Sequence, residues 1–179
     1  MVDNRQFVEL MKRVCGTTNY LDILLRSGYV GRYHTEPHMT KQQISNHTWR
    51  ALILLLHLWP DASRELILAL LYHDCPEVLT GDIHGVFKRH PAVSEVFDEF
   101  DRLFHKHMVT VSGSDLTDID RAKLKCVDIL EGILFVRGHP GYPGKEDLLK
   151  RFQNHLLSSG CLEELEEDDH LHVLNIVGE

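Results

Sequence analysis

Leu66-Ile67-Leu68-Ala69-Leu70-Leu71-Tyr72-His73-Asp74-Cys75-Pro76-Glu77-Val78-Leu79-Thr80-Gly81-Asp82 is an apolar helical run that ends in an imidazole, three carboxylates and a helix breaker. An imidazole and a carboxylate beside a hydrophobic helix cost free energy unless something compensates them. A divalent metal is the strongest compensator, and it takes both ligand types deprotonated. Two further candidates stand in similar surroundings: His47 opens the apolar stretch Trp49 to Trp59, and Asp128 lies inside Leu124-Lys125-Cys126-Val127-Asp128-Ile129-Leu130. Together His47, His73, Asp74 and Asp128 read as a two-histidine, two-aspartate metal site, a pattern that points to hydrolytic chemistry.

Working outward, the apolar positions keep a helical period throughout. Phe7, Leu10, Met11 and Val14 mark a first helix that Gly16 ends, and Tyr20 to Arg26 a second. Residues Tyr29 to Asn46 have no period but carry Arg32, His34, Glu36 and His38, and a loop of such chemical density is often functional. Ser45 or Asn46 is expected to cap the helix running to Trp59, and Pro60-Asp61 turns the chain back into the helix that carries His73-Asp74, making an αα-hairpin. Pro91 is expected to open a helix faced by Val93, Val96, Phe97, Phe100, Leu103 and Phe104, which Ser112-Gly113-Ser114 breaks. Asp118 or Asp120 should cap a helix through Val136, and a last amphipathic helix spans about Glu146 to Leu157. No stretch sustains a period of two. The expected fold is all-α, with one domain over 1–160 and an acidic tail over 161–179 packed on it or extending from it.

Composition narrows the partners. A formal charge of −8 over 179 residues argues against nucleic acid. Glu163, Glu164, Glu166, Glu167, Asp168 and Asp169 crowd one stretch that reads as a solvated acidic tail. Cys15, Cys75, Cys126 and Cys161 lack C-x-x-C spacing, so neither a zinc knuckle nor a redox pair is indicated, and a reducing cytosol is the expected setting. No apolar run reaches transmembrane length, so a membrane partner is not expected.

Glu77 follows His73 by four positions and Asp74 by three, so a continuing helix would put all three on one side, although Pro76 can end or bend the helix there. A mixed imidazole and carboxylate set suits Mn, Fe, Co, Ni or Zn better than magnesium. A single buried histidine is more often a satisfied core residue than a ligand, and His105, His107, His155 and His172 are read that way. The conjunction of His47, His73-Asp74, Glu77 and Asp128 on apolar segments is what carries the metal reading.

From about Gly31 to Leu134 the chain resembles the HD-domain phosphohydrolases, within them the bacterial 5′-deoxynucleotidases and the phage deoxyadenosine triphosphate triphosphohydrolases. The resemblance rests on Arg32-Tyr33, Ser45-Asn46-His47, the stretch from His73 to Asp82, Lys88 and Lys125-Cys126-Val127-Asp128. It implies an HD-domain helical bundle in which His47, His73, Asp74 and Asp128 bind a divalent transition metal (Mn, Co, Zn or Fe). Glu77 then activates or positions water, Asp82 is a second acid near the nucleotide, and Arg32 and Lys88 contact phosphate. The nucleotidases carry tryptophan after the arginine, by the sugar; here Tyr33 keeps the aromatic face and adds a hydroxyl. The implied activity is hydrolysis of 2′-deoxynucleotide phosphates, releasing either triphosphate from a dATP-type substrate or phosphate from a deoxynucleoside monophosphate. His34, His84 and Arg89 are extra cations for a longer phosphate chain. A homo-oligomer in the cytoplasm, the host's if the gene is a phage's, is the implied setting. The competing class is a non-catalytic module that senses a nucleotide; retained Glu77 and Asp82 speak for the enzyme, because a structural metal site has no use for spare acids.

Overall fold

A computed structural model describes residues 4–17, 19–88, 90–108 and 116–178. Arg89 and Ser112-Gly113-Ser114 lie outside the described residues. The elements in chain order are α1 (Asn4–Cys15), α2 (Tyr20–Ser27), β1 (Gly31–Arg32), β2 (Gln42–Gln43), α3 (Ile44–Leu58), α4 (Arg64–Tyr72), α5 (Glu77–Thr80), α6 (Gly85–Lys88), α7 (Ser94–Met108), α8 (Asp118–Arg137), α9 (Lys145–Ser158) and α10 (Glu167–Gly178). The helical expectation holds: among the described residues the strands are one antiparallel pair, with Gly31 opposite Gln43 and Arg32 opposite Gln42. The chain divides into two compact units, one from segments 1–35, 41–46 and 72–112, the other from 36–40, 47–71 and 113–179.

In the first unit, Phe7, Met11 and Cys15 form the buried stripe of α1 and meet Ile23, Cys75, Leu103, Phe104 and Met108 in one apolar core. Asn19 caps α2, its side-chain oxygen accepting from the amides of Leu21 and Asp22. The start of α3 lies two to three residues earlier than Ser45 or Asn46 capping would require. Its first amides need no side-chain cap, because Ile44 and Ser45 donate to the carbonyls of Val30 and Gly28 at 3.0 and 3.2 Å. Pro91 does not open α7. It sits in a turn closed by Val93 and Ser94 donating to the His90 carbonyl, and the helix begins at Ser94.

The second unit is built on α8, whose buried residues include Ala122, Cys126, Val127, Leu130, Ile133 and Val136. Thr117, rather than Asp118 or Asp120, is the N-cap: its Oγ1 accepts from the Asp120 amide at 3.1 Å, while both aspartates occupy the first turn, where carboxylates favour the helix dipole. α9 packs on α8, and Gly132 makes room for it: a Cβ there would lie 2.8 Å from Cε1 of Phe152. The acid-rich stretch becomes folded chain. Leu162, Leu165 and Val173 are buried while Glu163, Glu164, Glu166 and Glu167 stay exposed. Glu167, Asp168 and Asp169 stand in the first turn of α10, and Arg137 donates to the Ile176 and Val177 carbonyls near its other end, so charge suits both ends of the helix. The Trp59 indole N–H donates to Asp169 at 2.7 Å and holds that first turn. Cys126 and Cys161, separated in sequence, meet as thiols with 3.0 Å between sulfurs, a contact no sequence spacing could reveal.

Gly132→Ala should lower stability despite improving helix propensity. Overpacking costs about 1–3 kcal/mol, against a gain of about 1 kcal/mol for replacing a helical glycine. Urea denaturation should show a lower midpoint with an unchanged slope; an unchanged or raised midpoint would mean the Phe152 ring gives way freely.

Candidate functional site

In the first unit, α4 ends at Tyr72, so His73 and Asp74 are not on a continuing helix with Glu77. Tight turns replace it, with Cys75 donating to the Tyr72 carbonyl and Glu77 to that of Asp74 at 3.1 and 3.0 Å. Pro76 explains the break, since it has no amide to continue the helical ladder. His73 Nε2 and Asp74 Oδ2 are 3.3 Å apart, and both side chains are mostly buried. Glu77 then opens α5, 5% exposed. Its Oε1 accepts from Lys88 Nζ at 2.7 Å, while its Oε2 is buried with no hydrogen-bond partner among the described residues. Burial, reinforced by the charge of Asp74, pushes the Glu77 carboxyl up to about 8 even though Lys88 opposes the shift. Burial works against the charge of Lys88, but Glu77 and Asp74 outweigh it and hold its pKa above the ordinary range.

The β1–β2 pairing fixes the arginine segment. The Arg32 guanidinium lies 3.7 Å from Asp74 Oδ2 with its side chain 14% exposed, and it passes 5.8 Å from the centre of the Tyr33 ring. Tyr33 is buried and adopts φ 61°, a left-handed conformation that costs a bulky residue strain. Asp82 holds it there, its Oδ2 accepting the Tyr33 amide at 3.2 Å and lying 3.8 Å from His34 Nδ1. Gly81, at φ 72°, supplies the sharp exit from α5 that delivers Asp82. A cavity lined by Gly31, His34, Asp82, Ile83, His84 and Phe87, about 480 Å³ in volume, opens beside this segment. Arg32, Tyr33, Asp74, Asp82, Glu77 and Lys88 are therefore linked pairwise within one unit, Lys88 being engaged with Glu77.

In the second unit, His47 is fully buried on α3. Its Nε2 is 3.3 Å from Asp128 Oδ1, and its Nδ1 is 2.6 Å from Glu131 Oε2. Lys125 Nζ donates to the other Asp128 oxygen at 3.3 Å. Two donor atoms bound to one ion through bonds of about 2.0–2.2 Å stand roughly 3 Å apart. His47 with Asp128 and His73 with Asp74 each have such a spacing, so each unit offers a histidine–carboxylate pair that fits a metal.

Three residues escaped the sequence reading. Glu131 and Arg50 each lie three positions beyond a candidate ligand, Asp128 and His47, hence on the same helix face. Asp101 is an acid on the apolar stripe of Phe97, Phe100 and Phe104, and that misfit was the available signal. Burial raises its carboxyl to about 6, against Lys88 and with Asp74.

A structure of a cyanophage S-2L HD phosphohydrolase, DatZ, bound to dA and one catalytic Zn2+ ion matches with a TM-score of 0.63 over 87% of this chain and 92% of that one, at 20% identity. The fold is that of an HD phosphohydrolase. A dATP triphosphohydrolase of Salmonella phage PMBT28 is 27% identical over 130 residues. That match spans 65% of this chain and 65% of the relative, less than two thirds of the relative's length. No family model matches the chain. Within the HD phosphohydrolase fold, the conjunction read from the sequence falls on the ends and faces of α3, α4, α5 and α8.

Because the Glu77 carboxyl is raised to about 8 in the folded protein, its contribution to stability is complete in acid and is lost as pH rises through that value. Metal-free protein should accordingly show a denaturation midpoint that falls as pH rises from about 4.5 to about 8. Glu77→Gln should flatten that fall. An identical pH profile in the variant would remove Glu77 as its source.

Proposed function

We propose that the chain is a metal-dependent hydrolase of 2′-deoxynucleotides, with a dATP-type triphosphate as substrate and triphosphate as the leaving product. The observation that carries the reading is the buried Glu77 carboxylate, one oxygen held by Lys88 and the other unpartnered, three residues beyond His73-Asp74. A purely structural metal site gains nothing from such an acid, whereas a hydrolase needs a group to take a proton from water. Support for the substrate comes from the similar phage proteins, one named a dATP triphosphohydrolase and the other solved with dA and zinc.

His47, His73, Asp74 and Asp128 would hold the ion. The reading is supported by the 3.3 Å spacing inside each pair, His47 with Asp128 and His73 with Asp74. Their nitrogen and oxygen donors suit zinc, manganese, cobalt or iron. When bound, the ion polarises a phosphoryl oxygen and brings the pKa of a water towards about 7. Glu77 would accept the proton of the attacking water at Oε2. Arg32 offers a planar fork for two parallel hydrogen bonds to phosphate. Lys88 holds Glu77 in place through Oε1, and its charge would also favour a phosphate. Tyr33, fixed through its amide by Asp82, puts an aromatic face beside the sugar and crowds a 2′-hydroxyl. Among the described residues no helix is long and apolar enough to cross a membrane.

With dATP, ATP, dAMP and AMP and added zinc, manganese or cobalt, dATP should yield deoxyadenosine and triphosphate. Deoxyribose should be preferred by about tenfold to a few hundredfold, the worth of one steric contact. Phosphate from dAMP would select the nucleotidase, and binding without turnover on any nucleotide would select the sensing module. Glu77→Gln should retain metal and lose about 10²–10⁴-fold in turnover.

A further inference from the structure

Glu131 has no exposed side-chain surface, and a carboxylate so far from water must be compensated. Arg50 Nε donates to its Oε1 at 2.5 Å, and His47 Nδ1 lies 2.6 Å from its Oε2. Arginine keeps its charge in proteins, so one carboxylate oxygen faces a permanent cation and the other is left to accept from the imidazole. A hydrogen bond in that direction requires the proton on Nδ1. Nε2 then carries the lone pair, with Asp128 Oδ1 3.3 Å away.

We infer that Glu131, supported by Arg50, is a positioning residue for the metal centre. It holds His47 in the Nδ1–H tautomer, so that Nε2 is presented as a ligand. This deepens the proposed metal-dependent reading and rests on it. The geometry has a simple origin in the sequence: Glu131 follows Asp128, and Arg50 follows His47, by three residues on a helix, so each ligand brings its support one turn later. Both helices thereby contribute to the same hydrogen-bonded chain, from Arg50 through Glu131 to His47. Arg50 is itself partly exposed and passes 5.9 Å from the Phe135 ring centre, which steadies the guanidinium without removing it fully from water. Removing such an outer partner of a ligating histidine typically weakens metal binding about 10–100-fold.

The test measures zinc affinity by competition with a chromophoric chelator for the wild type and Glu131→Gln, with circular dichroism as the check on folding. In parallel, nitrogen NMR of histidine-labelled, metal-free wild type reports the His47 tautomer, the signal being assigned by its loss in His47→Gln. The expected results are an Nδ1–H tautomer and zinc binding about 10–100-fold weaker in Glu131→Gln. Equal affinities for the wild type and a folded variant would overturn the inference while leaving the proposed function standing. A wild type that binds no zinc, manganese, cobalt or iron would overturn both. If Glu131→Gln fails to fold, the wild-type tautomer decides, and an Nε2–H imidazole would overturn the inference.

Discussion

Ionisable donors carried on helices whose remaining surface is apolar constrain the rest of this structure. His47 has no exposure at all, and Glu77 and Glu131 are likewise buried. Each must find a compensating charge or hydrogen bond, and the local geometry follows from where those partners stand. Glu131 meets Arg50 and His47; Glu77 meets Lys88; Asp82 meets the backbone of Tyr33. What those contacts leave over is informative: two histidine–carboxylate pairs with ligand-like spacing, and one unpartnered carboxylate oxygen on Glu77.

The candidate site residues stand out in the sequence because a polar residue inside an apolar period has no bland explanation when several occur together. His47, His73, Asp74, Glu77 and Asp128 all met that test, and the helical fold was legible from the same period. Helix boundaries were less so. The start of α3 depends on the carbonyls of Gly28 and Val30, which approach only once β1 and β2 pair, and no local rule contains that pairing. At α8 the sequence reading took Asp118 or Asp120 as the cap, and the choice of Thr117 depends on backbone angles. Glu131 and Arg50 looked like ordinary charges on long helices. Only the full burial of Glu131 and its contact with Arg50, both tertiary properties, separate them from solvated ones. Asp101 was recoverable, as a lone acid on a phenylalanine stripe.

Strain and charge concentrate in the same short segments. Tyr33 is held at positive φ beside Arg32, and the Glu77 carboxyl is raised by burial a few residues from Asp74. Such features lower stability locally and persist because the surrounding helices are well packed, as Gly132 against Phe152 illustrates in the second unit. The C-terminal segment follows the same logic in reverse. Acids that would repel one another in a free tail are placed at the start of α10, where the helix dipole and the Trp59 indole favour them.

On the proposed function, one divalent ion is held by His47, His73, Asp74 and Asp128 together. Anomalous diffraction at the zinc edge, from crystals of zinc-loaded protein, tests it most directly. The account predicts one strong peak per chain within bonding distance of all four side chains. No peak there, or a zinc held by other residues while these four remain paired with one another, would contradict it.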